Sequence, residues 1–171
     1  HPVYLGANAD PLGSLLERLE GDEDSAPPAE ARDLVGLVAA QQKRAVGEAL
    51  AGAERPDALI PLPLHRRRLR SRGFDQSLEL ATPLAHHLRL PLLDGVLIRV
   101  RETAPQSRLD APARRRNLRR AFAVRTGPTL PPHIVLIDDV MTTGATLHAA
   151  AAALLLAGAT RVDAWVCARV A

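Results

Sequence analysis

The stretch that most restricts how this chain can fold is HIVLIDDVMTTGAT, residues 133–146. Residues 134–137 (IVLI) are four branched apolar residues in a row. An unbroken run of that kind fits a strand covered on both faces, as in a parallel sheet. Asp138 and Asp139 follow at once, so two carboxylates stand at the strand's carboxyl end, the edge where open α/β sheets bind ligands. Thr142, Thr143, Gly144, Ala145 and Thr146 are small and hydroxyl-rich and lead into an alanine-rich helix. A tight loop at a helix amino end presents free N–H groups and the positive end of the dipole, which suits a phosphate. Carboxylates a few residues ahead of a phosphate cradle point to one ligand that carries both a phosphate and neighbouring hydroxyls. The plainer alternative is a strand ending in a solvated Asp-Asp turn, followed by a Thr-capped helix.

The segment VLIDDVMTTGAT closely resembles the phosphoribosyl-pyrophosphate signature of type I phosphoribosyltransferases. The resemblance implies that Asp138 and Asp139 hold the ribose 2′- and 3′-hydroxyls. It also implies that Met141, Thr142, Thr143, Gly144, Ala145 and Thr146 wrap the 5′-phosphate.

The 171 residues are expected to form a single domain, with residues 57–171 as its best-marked core and 1–56 as a less defined amino-terminal part. Only Tyr4, Phe74, Phe122 and Trp165 are aromatic, so alanine, leucine and valine must fill the interior. Lys43 is the sole lysine; the other basic residues are arginine, which meets phosphate with a planar fork. The net charge of +3 conceals a split: residues 1–62 hold 5 basic and 11 acidic side chains, residues 63–171 hold 17 and 8. The basic part contains the signature, which favours an anionic ligand or nucleic acid there. Cys167 is the single cysteine, in an apolar strand-like run, and reads as a buried structural thiol; no disulfide within the chain and no cysteine-rich zinc site is possible. No stretch has the length and apolarity of a bilayer span, and the amino end lacks a signal-peptide pattern, so a cytoplasmic protein without membrane insertion is expected. The chain opens on His1 rather than methionine, and an absent upstream segment is expected.

Along the chain, residues 3–5 fit a short strand and residues 10–19 a helix with Leu12, Leu15, Leu16 and Leu19 on one face. Residues 21–28 (GDEDSAPP) read as an acidic loop and residues 30–53 as a helix. Residues 57–64 (DALIPLPL) begin as a buried strand that Pro61 and Pro63 stop. Asp75 caps a helix reaching about Leu88. A strand is expected near 92–100, a long loop over 101–113, a short strand over 121–124 and a proline-rich turn over 126–132. The helix over 145–157 ends at Gly158, and its apolar residues 149–156 predict deep burial. Residues 161–170 close the chain as a strand. This alternation predicts an α/β fold, a mainly parallel sheet flanked by helices.

Two further segments carry a second resemblance. PLPLHRRRLRSRGFDQS and RVRETAPQSRLDAPARRRNLRRAF look like the corresponding parts of the competence protein F (ComF, GntX-like) family. Its Arg…Thr-x-x-Gln, Arg-x-x-Asn and Ala-Phe elements fall here on Arg101, Thr103, Gln106, Arg114, Asn117 and Phe122, with one residue between Arg101 and Thr103. With the signature, the resemblance spans about residues 57–171. It implies a three-layer type I phosphoribosyltransferase fold. It further implies a pyrophosphate loop at 63–68, with Leu64, His65, Arg66 and Arg67 as contacts, and a loop at 101–114 that folds over the ligand through Arg101, Thr103 and Gln106. The implied chemistry is displacement at the ribose anomeric carbon with pyrophosphate leaving. The acceptor is not legible, and Asp138, Asp139 and Arg101 are the catalytic candidates. Mg²⁺ is implied, held mainly by substrate oxygens and water, with Asp138 as the candidate protein ligand. The chain departs from the family pattern at Asp75, usually Asn, at Arg120, often Gly, and at residues 19–22, where a lysine-bearing stretch is common. Many members carry an amino-terminal four-cysteine zinc ribbon; this chain has none, so no zinc is expected.

Each basic cluster has an ordinary reading. Five arginines between 66 and 72 form an anion site or a solvated turn. Residues 114–120 (RRRNLRR) form a phosphate strip, a nucleic-acid patch or plain surface. Two functions therefore compete: a phosphoribosyltransferase-like protein that binds phosphoribosyl pyrophosphate or a related phosphosugar, and an accessory protein of DNA uptake. The resemblance implies for the latter that it handles single-stranded DNA beside a competence helicase. The two readings are compatible if the ligand acts as a signal. Oligomeric state is not legible.

Overall fold

The computed structural model describes residues 3–4, 54–64, 75–100, 121–125, 127, 129–141 and 143–169. Its elements are β1 (Val3–Tyr4), β2 (Ala58–Pro61), α1 (Gln76–Leu88), β3 (Leu97–Arg99), β4 (Phe122–Val124), β5 (His133–Met141), α2 (Ala145–Leu156) and β6 (Arg161–Arg169). Four strands make one sheet in the order β1-β6-β5-β2, with every neighbouring pair parallel. The apolar run of β5 lies in its interior: Ile134, Val135, Leu136 and Ile137 are at most 1% exposed. Side chains alternate across a strand. Ile134 and Leu136 therefore pack with Leu147, Ala150 and Leu154 of α2, while Val135 and Ile137 pack with Leu80, Ala81 and Leu84 of α1. One helix on each face makes a three-layer α/β/α arrangement.

Local chemistry sets the ends of α1. Asp75 has extended backbone angles, and its carboxylate accepts the Leu78 amide at 3.2 Å, an N-cap. Arg89 closes the helix in the left-handed region at φ 51°. Between them, Ser77, Leu80, Ala81, Leu84 and Ala85 form the buried face at helical spacing. Cys167 is buried, as its apolar surroundings predict. The segments at 5–53, 65–74 and 101–120, with the helices, loops and basic clusters expected there, lie outside the described residues.

Two expectations are corrected. The strand expected over 92–100 is shorter and belongs to another sheet. Leu92 makes a single parallel bridge to Leu59, and the Leu93 amide donates to the Leu59 carbonyl at 2.9 Å. Gly95 at φ 71° then turns the chain, and only Leu97–Arg99 is strand, paired antiparallel with β4. The second correction concerns α2. Its all-apolar composition does not bring burial all round, because the sheet covers one face only. Leu147, Ala150 and Leu154 are buried, whereas Leu155 is 47% and Leu156 90% exposed.

The amino-terminal edge of the sheet is tied by polar groups. His133, buried, donates its amide to Asp57 at 2.8 Å, and its Nε2 lies 2.8 Å from Asp163. Arg161 meets the same Asp163 oxygen at 2.8 Å. Burial alone would raise the Asp163 pKa; the hydrogen bonds from His133 and Arg161, with their charge, outweigh it and hold the carboxyl below its ordinary 3.8. A depressed carboxylate pKa stabilises the fold at higher pH, and that stabilisation is lost as pH falls through the folded value. Asp163→Asn is therefore expected to lose about 1–3 kcal/mol at neutral pH, the range for charge-assisted hydrogen bonds. Urea unfolding of both proteins across pH should show the difference persisting down to 3.8 and closing below it.

Candidate functional site

β2 and β5 are neighbours, yet the helices that follow them lie on opposite faces, α1 on one and α2 on the other. Where helices diverge in this way, the strands' carboxyl ends leave a crevice, the usual ligand position in open α/β sheets. A cleft of about 160 Å³ opens there. Its walls are residues 62–64 after β2, Gln76 and Ser77 at the start of α1, the carboxyl end of β5 with Asp138 and Asp139, the first turn of α2, and Arg99 from the β3–β4 hairpin. Both helices present their amino ends to it.

The acidic pair sits at the border between core and cleft. Asp138 Oδ1 accepts the Asp139 amide at 3.0 Å and the Ser77 hydroxyl at 3.3 Å. Asp139 Oδ1 accepts the Val140 amide at 2.9 Å. Burial, then the adjacent Asp139 charge and carboxyl, push the Asp138 pKa well above 3.8. Asp75 is also raised, chiefly by burial; amide hydrogen bonds oppose this and the Asp139 charge adds to it. Carboxyl oxygens placed side by side can accept hydrogen bonds from vicinal hydroxyls.

The turn behind the pair has the shape of an anion cradle. Gly144, at φ 71° and ψ 3°, is the N-cap of α2, and among the described residues no side chain caps that helix. The Ala145 amide reaches the Thr143 hydroxyl only at 3.4 Å. A Cβ at position 144 would lie 3.3 Å from Met141 Sδ, and the φ of 71° is one that favours glycine. The first turn of α2, and with it the dipole's positive end, thus faces the cleft.

Of the residues singled out by sequence, Leu64, Asp138, Asp139, Met141, Gly144, Ala145 and Thr146 line this cleft. Met141 is also buried in the α2-side core with Leu136 and Leu147. Thr143 stands exposed beside the cradle. Thr142, His65, Arg66, Arg67, Arg101, Thr103 and Gln106 lie outside the described residues. Of the cleft residues that were missed, two bear most on its chemistry. Arg99 stacks over Phe122, 5.6 Å from the ring centroid, and lines the cleft. Its sequence signal was an arginine inside the apolar run LIRV. Ser77, 4% exposed, is the other, a hydroxyl where the α1 stripe otherwise has apolar residues.

A raised carboxyl pKa contributes stability that is complete below the unfolded value and is lost as pH rises through the folded one. Asn keeps the oxygen that accepts from Asp139 and Ser77 but cannot ionise. Asp138→Asn is therefore expected to melt higher than the native protein at neutral pH by about 2–4 °C, the shift for about 1 kcal/mol in a domain of this size. The gain should vanish when melts are repeated below pH 3.8.

No protein-family model matches the chain. Over 114 residues, 67% of its length, it is 43% identical to DNA utilization protein YhgH of Salmonella typhimurium, of which the chain spans half, 50%. Over 169 residues it is 31% identical to competence protein F of Haemophilus influenzae, covering 98% of this chain and 72% of that protein. A solved structure with a similar outline is adenine phosphoribosyltransferase from Leishmania tarentolae, at TM-score 0.48 and 14% identity over 83% of this chain and 72% of that one. By its similarity along nearly its whole length, the chain belongs to the competence protein F family.

Proposed function

We propose that the cleft binds phosphoribosyl pyrophosphate, or a related phosphosugar, together with Mg²⁺, and that the protein acts in DNA uptake. One observation carries the first half: the acidic pair and the uncapped glycine turn of α2 open into the same cleft at the sheet's carboxyl edge. Carboxylates at that spacing suit two neighbouring hydroxyls, and the turn suits the phosphate on the same sugar. Arg99 brings a positive charge to the same cleft, where it would meet a second anionic group of the ligand.

The donors fit a hard cation. Asp138 and Asp139 supply carboxylate oxygens, with Asp138 as the candidate ligand. Among the described residues no group of three or more His, Cys, Asp or Glu forms a protein-only cage, so diphosphate oxygens and water would complete the shell. When bound, the ion would neutralise charge on a departing diphosphate. The chain's own residues would hold the sugar and exclude water around it, with transfer at the anomeric carbon as the reaction such a ligand offers.

Support for the second half comes from the names of the relatives, a DNA utilization protein and a competence protein. The alternative role, an accessory protein that handles single-stranded DNA and uses the cleft as a sensor or not at all, draws on the same names and on the arginine clusters at 66–72 and 114–120.

Calorimetry of the intact protein with phosphoribosyl pyrophosphate and Mg²⁺ should give micromolar-to-millimolar binding. Asp139→Asn should weaken it about 10- to 100-fold, as expected for losing charge-assisted hydrogen bonds, and the double change with Asp138→Asn should abolish it. No heat with the intact protein overturns the reading. For the DNA reading, a gel shift with single-stranded DNA should strengthen steeply as salt is lowered; no shift at low salt removes direct DNA binding by this chain.

A further inference from the structure

We propose that Ser77 is a positioning residue for the ligand site: its hydroxyl holds the Asp138 carboxyl in the orientation that the ribose meets. The inference rests on the ribose reading of the cleft and assigns it a residue from a different element, 61 positions away in sequence.

The buried face of α1 is a single stripe, Ser77, Leu80, Ala81, Leu84 and Ala85. Four members are apolar and pack in the core with Val135 and Ile137 of β5. The fifth is a hydroxyl, at the end of the stripe that enters the cleft. A hydroxyl buried to 4% exposure is costly unless it is hydrogen-bonded. A serine in the first turn of a helix commonly bonds nearby backbone. Ser77 instead donates across to Asp138 Oδ1 at 3.3 Å. That oxygen also accepts the Asp139 amide, so Asp138 is fixed from two directions. The bond is long for O–H···O.

The same helical turn reaches the cleft's other wall. Asp75 accepts the Leu64 amide at 3.4 Å while capping α1 through Leu78. The first turn of α1 is thus tied to both the acidic pair and the segment after β2. A carboxyl locked before the ligand arrives spares the ordering cost at binding.

The test compares the intact protein with Ser77→Ala and Ser77→Thr, using ribose 5-phosphate and inorganic phosphate as probes in calorimetry, and crystals of the native and Ser77→Ala proteins. Ser77→Ala should bind ribose 5-phosphate about three- to tenfold more weakly, the effect of one neutral hydrogen bond, with inorganic phosphate affinity unchanged. Ser77→Thr, which keeps the hydroxyl, should restore the sugar affinity. In Ser77→Ala crystals the Asp138 carboxyl should turn or spread over two orientations. An Asp138 that keeps its native orientation there overturns the proposal, as does a threonine variant that folds and binds as weakly as alanine. A native protein that binds no ribose 5-phosphate sinks the ribose reading instead, and the crystal comparison then decides the role of Ser77 by itself.

Discussion

The structure depends on the burial of one strand from both sides. β5 enters the core with four consecutive apolar residues, each at most 1% exposed, and this requires a helix over each face. The two helices begin at the sheet's carboxyl edge, so their amino ends gather where β5 emerges. The apolar run stops at the same place, because beyond Ile137 the covering helices end and solvent begins. Carboxylates are tolerated at Asp138 and Asp139 since they stand at that border. The site is a product of how the core terminates, rather than an addition to it.

Electrostatics differ at the two ends of this strand. At the amino end, His133 and Arg161 both meet the Asp163 carboxylate, and its pKa is held below the ordinary value. At the other end, Asp75, Asp138 and Asp139 lie near one another, and burial works against ionising Asp138. Among the described residues lining the cleft, Arg99 is the cation. Such unfavourable ionisation is what a ligand with hydroxyls, or a cation, would relieve, and it is a common mark of a binding site.

Much of this was legible in the residues. The strand at 134–137, the Asp75 cap and the glycine turn at 144 each rest on local chemistry that tertiary structure does not override, and all three appear where expected. What failed was long-range. Composition cannot say how many sides of an alanine- and leucine-rich helix will find a neighbour; among the described residues α2 packs on β6 and β4 and leaves Leu155 and Leu156 exposed. The strand expected over 92–100 was divided by partner choice, because Leu92 and Leu93 bonded to β2 while Leu97–Arg99 took β4. Arg99 and Ser77 were overlooked for a related reason. Each lies in an otherwise apolar pattern, where a lone polar residue signals function only once its direction is known.

The tethering of β5 at its amino end has a mechanical implication. Asp57 and Asp163 grip His133, residues 134–137 are packed without slack, and pairing with β6 continues as far as Met141, so the strand resembles a beam held at both ends. The acidic doublet rides between those holds. A sugar arriving there meets carboxylates on a backbone already in place, and little of the scaffold has to be ordered as the ligand settles.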